Sequence, residues 1–105
     1  MISSFDEIPT LHKKVFCTLY KEYLKQNNHL YIDNSDEIVE NFFPEISSDK
    51  MSAICWNLKD KELLICYPGD DLATEISLTD DAIAFMEHRF KNNIKNIINF
   101  ITSLS

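Results

Sequence analysis

The 105-residue chain reads as an α+β domain, mostly helical. Apolar residues recur at helical spacing in four separate stretches, and between the third and fourth the period changes to that of a strand pair around a turn. An apolar content of 45% with 11% aromatics is too rich for a disordered chain, and about a hundred residues is the size of one domain. The expected organisation is a single domain over 1–105, with a core over 8–90 and a C-terminal helical extension over 91–105.

Residues 8–27 carry Ile8, Leu11, Val15, Phe16, Leu19, Tyr20, Tyr23 and Leu24, a wide helical stripe. Pro9 suits its first turn, where a missing N–H costs nothing, and Asn27-Asn28 ends it. Lys13, Lys14, Lys21 and Lys25 lie off the stripe, with Glu22 spaced to pair with one of them. Leu30-Tyr31-Ile32 reads as a short strand. Asn34 to Glu37 has the spacing of a capping box, and Ile38, Val39, Phe42 and Phe43 give the second helix its apolar face until Pro44 stops it. Ser47-Ser48-Asp49 caps a third helix with Met51, Ile54, Cys55 and Leu58 inward and Trp56 on a flank.

The run Leu63 to Tyr67, the turn Pro68-Gly69-Asp70-Asp71 and the run Leu72 to Leu78 predict a β-hairpin. Ile76 and Leu78 fall on one face of its second strand, Glu75 and Ser77 on the other. Thr79-Asp80-Asp81 caps the last helix, whose seam Ile83, Met86, Phe90, Ile94, Ile97 and Ile101 runs on for over twenty residues. Asn92-Asn93 marks the one place where it can break in two. Without a Gly or Pro there, the spacing favours a long helix pairing two chains through Phe90, Ile94, Ile97 and Ile101.

Chemistry-bearing motifs are absent from the spacing. Cys17, Cys55 and Cys66 form no CxxC pair and sit among apolar residues, so they read as buried, reduced thiols. His12, His29 and His88 have no second ligand three or four residues away. There is no nucleophile elbow and no phosphate-binding glycine loop, so neither an enzyme nor a cofactor or metal site is expected. The start MISSFDEIPT lacks the blocks of an export signal, and no apolar run approaches the roughly 18 residues of a membrane span. The expected location is the cytoplasm.

Trp56 to Ile65, the hairpin, and Ile76 to Glu87 together resemble a pattern found in small bacterial and phage winged helix-turn-helix proteins, of the YjcQ-like and MarR-like kind. That pattern is a recognition helix, a wing and then L-T-x-x-G-x-x-x-L/M; Leu78-Thr79 fits it, and Ala82 stands where glycine is usual. The resemblance implies a winged helix-turn-helix with a two- or three-stranded wing. It makes the third helix and the wing the nucleic-acid surface, with Ser48, Lys50, Ser52, Asn57 and Lys59 as the DNA-facing residues.

Charge argues against that use. The chain carries −7, and eleven of its seventeen acids fall in two segments that hold no Lys or Arg. Residues 31–49 hold Asp33, Asp36, Glu37, Glu40, Glu45 and Asp49, and residues 68–81 hold Asp70, Asp71, Glu75, Asp80 and Asp81. DNA affinity comes largely from cations displacing counterions at phosphates, and these segments offer none. The sequence therefore points first to a non-enzymatic interaction module. Its acidic face of Asp33, Asp36, Glu37, Glu40, Asp70, Asp71 and Glu75 would bind a basic protein, as an inhibitor, an immunity protein or a regulatory adaptor. The alternative is a dimeric DNA-binding transcription regulator or replication accessory protein.

Overall fold

A computed structural model describes residues 5–104. Their order is a short 3-10 turn (Phe5–Glu7), α1 (Thr10–Lys25), β1 (Ile32–Asn34), α2 (Ser35–Phe42), α3 (Ser48–Asp60), β2 (Leu64–Gly69), β3 (Leu72–Leu78), α4 (Asp80–Phe90) and α5 (Ile94–Ser103). The three strands form one antiparallel sheet in the order β1-β3-β2. The fold is α+β, as the periodicity predicts.

Helices α2 to α5 each start on a side-chain oxygen, whereas α1 starts on Pro9 without one. Asn34 accepts from the backbone N–H of Asp36 and Glu37, Ser47 from Lys50, Thr79 from Ala82 and Asn93 from Asn96. Each satisfies donors that the first helical turn leaves open. Glu37 reaches back as in a capping box, but its carboxylate takes the N–H of Asp33, one residue ahead of the cap, at 2.9 Å. Phe43 closes α2, its N–H shared between the carbonyls of Ile38 and Val39, and Pro44 prevents a further turn.

The hairpin closes at Gly69–Leu72 with Asp70 and Asp71 at φ of 51° and 64°. Two successive left-handed residues match the twist of the flanking strands. Gly69 leaves room for Thr74, since a Cβ there would lie 3.0 Å from that side chain and push it aside. The hairpin also holds a bulge that alternation alone does not predict. Tyr67 faces Thr74 and Ile65 faces Ser77, so β3 carries one extra residue, and Glu75 sits there at φ 51°. Ala73 and Ile76 are therefore both buried, although an odd number of positions separates them along the strand.

The inner stripe of α3 is as expected: Met51, Ile54, Cys55 and Leu58 are buried with Phe16, Leu19, Ile38, Leu64 and Ile76 in one core. Two details differ from the sequence expectation. Strand β1 lies two residues later, with Leu30 buried before it. In α2 the buried phenylalanine is Phe43, at the cap, while Phe42 is half-buried because the helix ends there and turns it outward.

The largest correction concerns the C-terminus. The helix does not run through; it breaks at Lys91 and Asn92, both left-handed at φ 56° and 58°, and α5 folds back onto α1 and α4. The Tyr20 hydroxyl donates to the Asn92 side chain at 3.2 Å and ties the break to α1. Phe90 and Ile97, expected in a dimer seam, are buried within the chain, and Ile94 and Ile101 are half-buried against it. The seam is consumed internally because asparagine tolerates the left-handed region that glycine would otherwise supply.

An aromatic cluster locks this arrangement. Phe5 lies 5.8 Å from Phe16, 5.3 Å from Phe85 and 6.2 Å from Phe100, ring centre to ring centre. The Arg89 guanidinium stands over Phe5 and Phe100 at 5.1 and 5.2 Å and pairs with Asp6 at 3.2 Å. Among the described residues no helix is long and apolar enough to cross a membrane.

Candidate acidic interface

Strand β1 is one edge of the sheet, and its pairing brings acids together. Ile32 faces Ile76 and Asn34 faces Thr74, so Asp33 lies beside the bulge residue Glu75. Like charges side by side on paired strands repel, and this pair adds nothing to sheet stability. Glu37, from the first turn of α2, joins them through its bond to the Asp33 backbone. Beside them stands Tyr31, 53% exposed, whose phenol feels the charges of all three acids. Partial desolvation raises the Tyr31 phenol above its ordinary value, and the charges of Asp33, Glu75 and Glu37 raise it further.

The remaining predicted acids stand apart from this group. Asp36 is half-buried and accepts from the Ser48 hydroxyl, which ties the start of α2 to the start of α3. Glu40 is exposed one helical turn beyond. Asp70 and Asp71 occupy the hairpin tip, past the last β1 pairing at Thr74. The compact part of the face is therefore Asp33, Glu37 and Glu75. Tyr31 is the member that sequence reasoning missed: Leu30 and Ile32 are buried on either side of it, an alternation that aims its ring outward next to Asp33.

The residues expected to face DNA are not gathered on one surface. Ser52 is buried, where its hydroxyl pairs with that of Ser35 at 2.7 Å and accepts from the Ala73 N–H. This corrects the sequence expectation, because Ser52 belongs to the face of α3 that meets the sheet. Asn57 is half-buried and bonded to the His12 ring at 3.1 Å, toward α1. The Lys59 ammonium lies over Trp56 and Tyr67, at 5.5 and 5.8 Å from the ring centres. Ser48 and Lys50 are exposed at the helix start, next to Asp49. On α1, the Lys13 ammonium donates to the Asp6 carbonyl and Lys25 pairs with Glu22 at 3.7 Å.

The three thiols are buried. Burial pushes Cys17 and Cys55 up to about 12 and raises Cys66 as well, so all three are neutral at physiological pH. Among the described residues no three His, Cys, Asp or Glu side chains converge as a metal site. In comparison with known proteins, no family model, no curated protein and no solved structure matches this chain.

Proposed function

We propose that the chain is a non-enzymatic interaction module on a winged-helix core, and that its acidic edge binds a basic protein as an inhibitor, immunity protein or regulatory adaptor. The order helix, strand, helix, helix, hairpin, helix supports the winged-helix reading. The observation that carries the binding reading is the grouping of Asp33, Glu37 and Glu75 around the exposed ring of Tyr31. Aromatic side chains offer contact area at low entropic cost, and carboxylates around one favour a Lys- or Arg-bearing surface. Across α3 the exposed cations Lys50 and Lys59 are balanced by Asp49 and Asp60, which leaves little attraction for phosphate.

A lysine-rich peptide is the probe for this reading, followed by the backbone amide shifts of the intact protein. Binding is expected to shift Tyr31, Asp33 and Glu75 first and to weaken steeply as salt rises. Neutralising the pair Asp33→Asn and Glu75→Gln should weaken binding several-fold more than neutralising Asp49→Asn and Asp60→Asn. Equal loss from both pairs would reduce the effect to net charge and overturn the reading. Salt-sensitive binding of a DNA duplex through α3 would replace it with the DNA-binding alternative.

A further inference from the structure

We propose that the opposite edge of the sheet, along β2, is a homodimer interface that joins two copies into a continuous six-stranded antiparallel sheet. The sheet order pairs β2 on one side only. Its inner residues Leu64 and Cys66 are buried, whereas Ile65 and Tyr67 are 38% and 52% exposed. Edge strands are normally protected by charge, and β2 carries none from Leu64 to Tyr67; Pro68 has no N–H, which removes one bond from each end of a ladder centred on Cys66. A groove of about 380 Å³ runs beside it, lined by Lys59, Glu62, Ile65, Tyr67, Thr79 and Asp81 among others.

The order of charges along this groove selects the occupant. Lys59 lies at the Tyr67 end, 5.8 Å from that ring. Two acids that line the groove, Glu62 and Asp81, lie toward the other end, because Thr79 bonds the Leu63 carbonyl through its N–H and the Glu62 carbonyl through its hydroxyl, and Asp81 follows two residues later. A two-fold axis at Cys66 reverses the second strand, so Ile65 faces Tyr67 of the second copy and Lys59 approaches Asp81 of the second copy. Both contacts occur twice, as an isologous interface requires. A β-branched residue opposite an aromatic ring is a favourable cross-strand pair. Parallel docking would set lysine against lysine and aspartate against aspartate. The second copy in antiparallel register is thus the occupant that the groove complements.

This interface is independent of the acidic edge and leaves it open. The two β1 strands would end up about 24 Å apart across the joined sheet, from five strand spacings of about 4.8 Å. The dimer would display two acidic faces pointing away from one another.

Sedimentation equilibrium on the intact chain, from micromolar to millimolar, should show a monomer–dimer equilibrium. Lys59→Glu and Asp81→Lys should each weaken self-association by about tenfold or more, since each turns two attractions into repulsions. An equimolar mixture of the two variants should associate again. In that mixed pair the introduced glutamate of one chain meets the introduced lysine of the other, and the native Lys59–Asp81 contact is kept at the second site. Hydrogen exchange on the unmodified protein serves as the second measurement: the amides from Ile65 to Tyr67 should gain protection as concentration rises. A monomer throughout the range, a folded mixture that stays monomeric, or protection that grows on α5 instead would each overturn the proposal. So would tight binding of an unrelated extended peptide to β2 of a protein that does not self-associate.

Discussion

Helices α3 and α5 present similar apolar patterns and meet different fates. In α3, Met51, Ile54, Cys55 and Leu58 are all at most 2% exposed, because α1, α2, β2 and β3 converge on that helix. In α5, Ile94, Ile97, Ile98, Phe100 and Ile101 crowd into ten residues, yet only Ile97 is fully covered, since the helix leans chiefly on α1 and α4. Ile98 remains 46% exposed. Apolar spacing identifies the face of a helix that turns inward, while the number of neighbours decides how deep it goes.

That contrast can be broken by substitution. Leu58→Ala should cost about 3–5 kcal/mol by chemical denaturation, because the site is enclosed on all sides and cannot collapse. A loss below about 1 kcal/mol would show that α3 is not central. Ile97→Ala should cost less, about 2–3 kcal/mol, since an end helix can shift toward the cavity, and Ile98→Ala should stay within about 0.5 kcal/mol. If Ile98 proved as costly as Ile97, α5 would be covered on its outer side by something further, a second copy included.

Alkaline titration sharpens the same comparison, because Cys55 lies on the buried face of α3 and Cys17 is buried on α1. Their folded values near 12 stand above the ordinary 9.0. The unfolded chain therefore releases these protons first, and the stability they contribute is complete below about pH 9 and lost as pH climbs toward 12. Each thiol removes up to about 1.4 kcal/mol per pH unit inside that window. Melting temperature should fall across it, and Cys17→Ala with Cys55→Ala should flatten the decline; an unchanged slope would mean the thiols ionise freely.

The smallest effect lies at the break between α4 and α5. Lys91 holds a left-handed conformation that glycine adopts without steric penalty, so Lys91→Gly should stabilise the fold by about 0.5–1 kcal/mol. Destabilisation on thermal or chemical unfolding would show that the lysine side chain contributes more than its backbone conformation costs.

Most of the helices and the hairpin are legible in the sequence because their signals are local: a capping oxygen, a proline, a change of period. The break at Lys91-Asn92 shows only as a pair of asparagines, and periodicity on either side of it is in phase, so the spacing argues for continuity. The bulge at Glu75 leaves no residue signature, because glutamate rarely takes that conformation and only the pairing to two different neighbours reveals it. Of the candidate acidic face, Asp33 and Glu75 are found by counting charge. Their placement side by side depends on strand register, which joins residues far apart in the chain. Ser52 misleads for a related reason: a serine on a helix looks solvent-facing until the strand that its hydroxyl serves is known.

One side chain makes the β2 edge directly observable. Trp56 is the chain's sole tryptophan, half-buried beneath the Lys59 ammonium, which also reaches over Tyr67. Indole emission therefore reports from a single known address, at the side of the sheet away from Tyr31 and Asp33. An association that moves Lys59 off the ring should change its intensity, whereas events confined to the β1 edge should leave the signal as it was. The unlabelled protein thus carries an optical probe that tells its two edges apart.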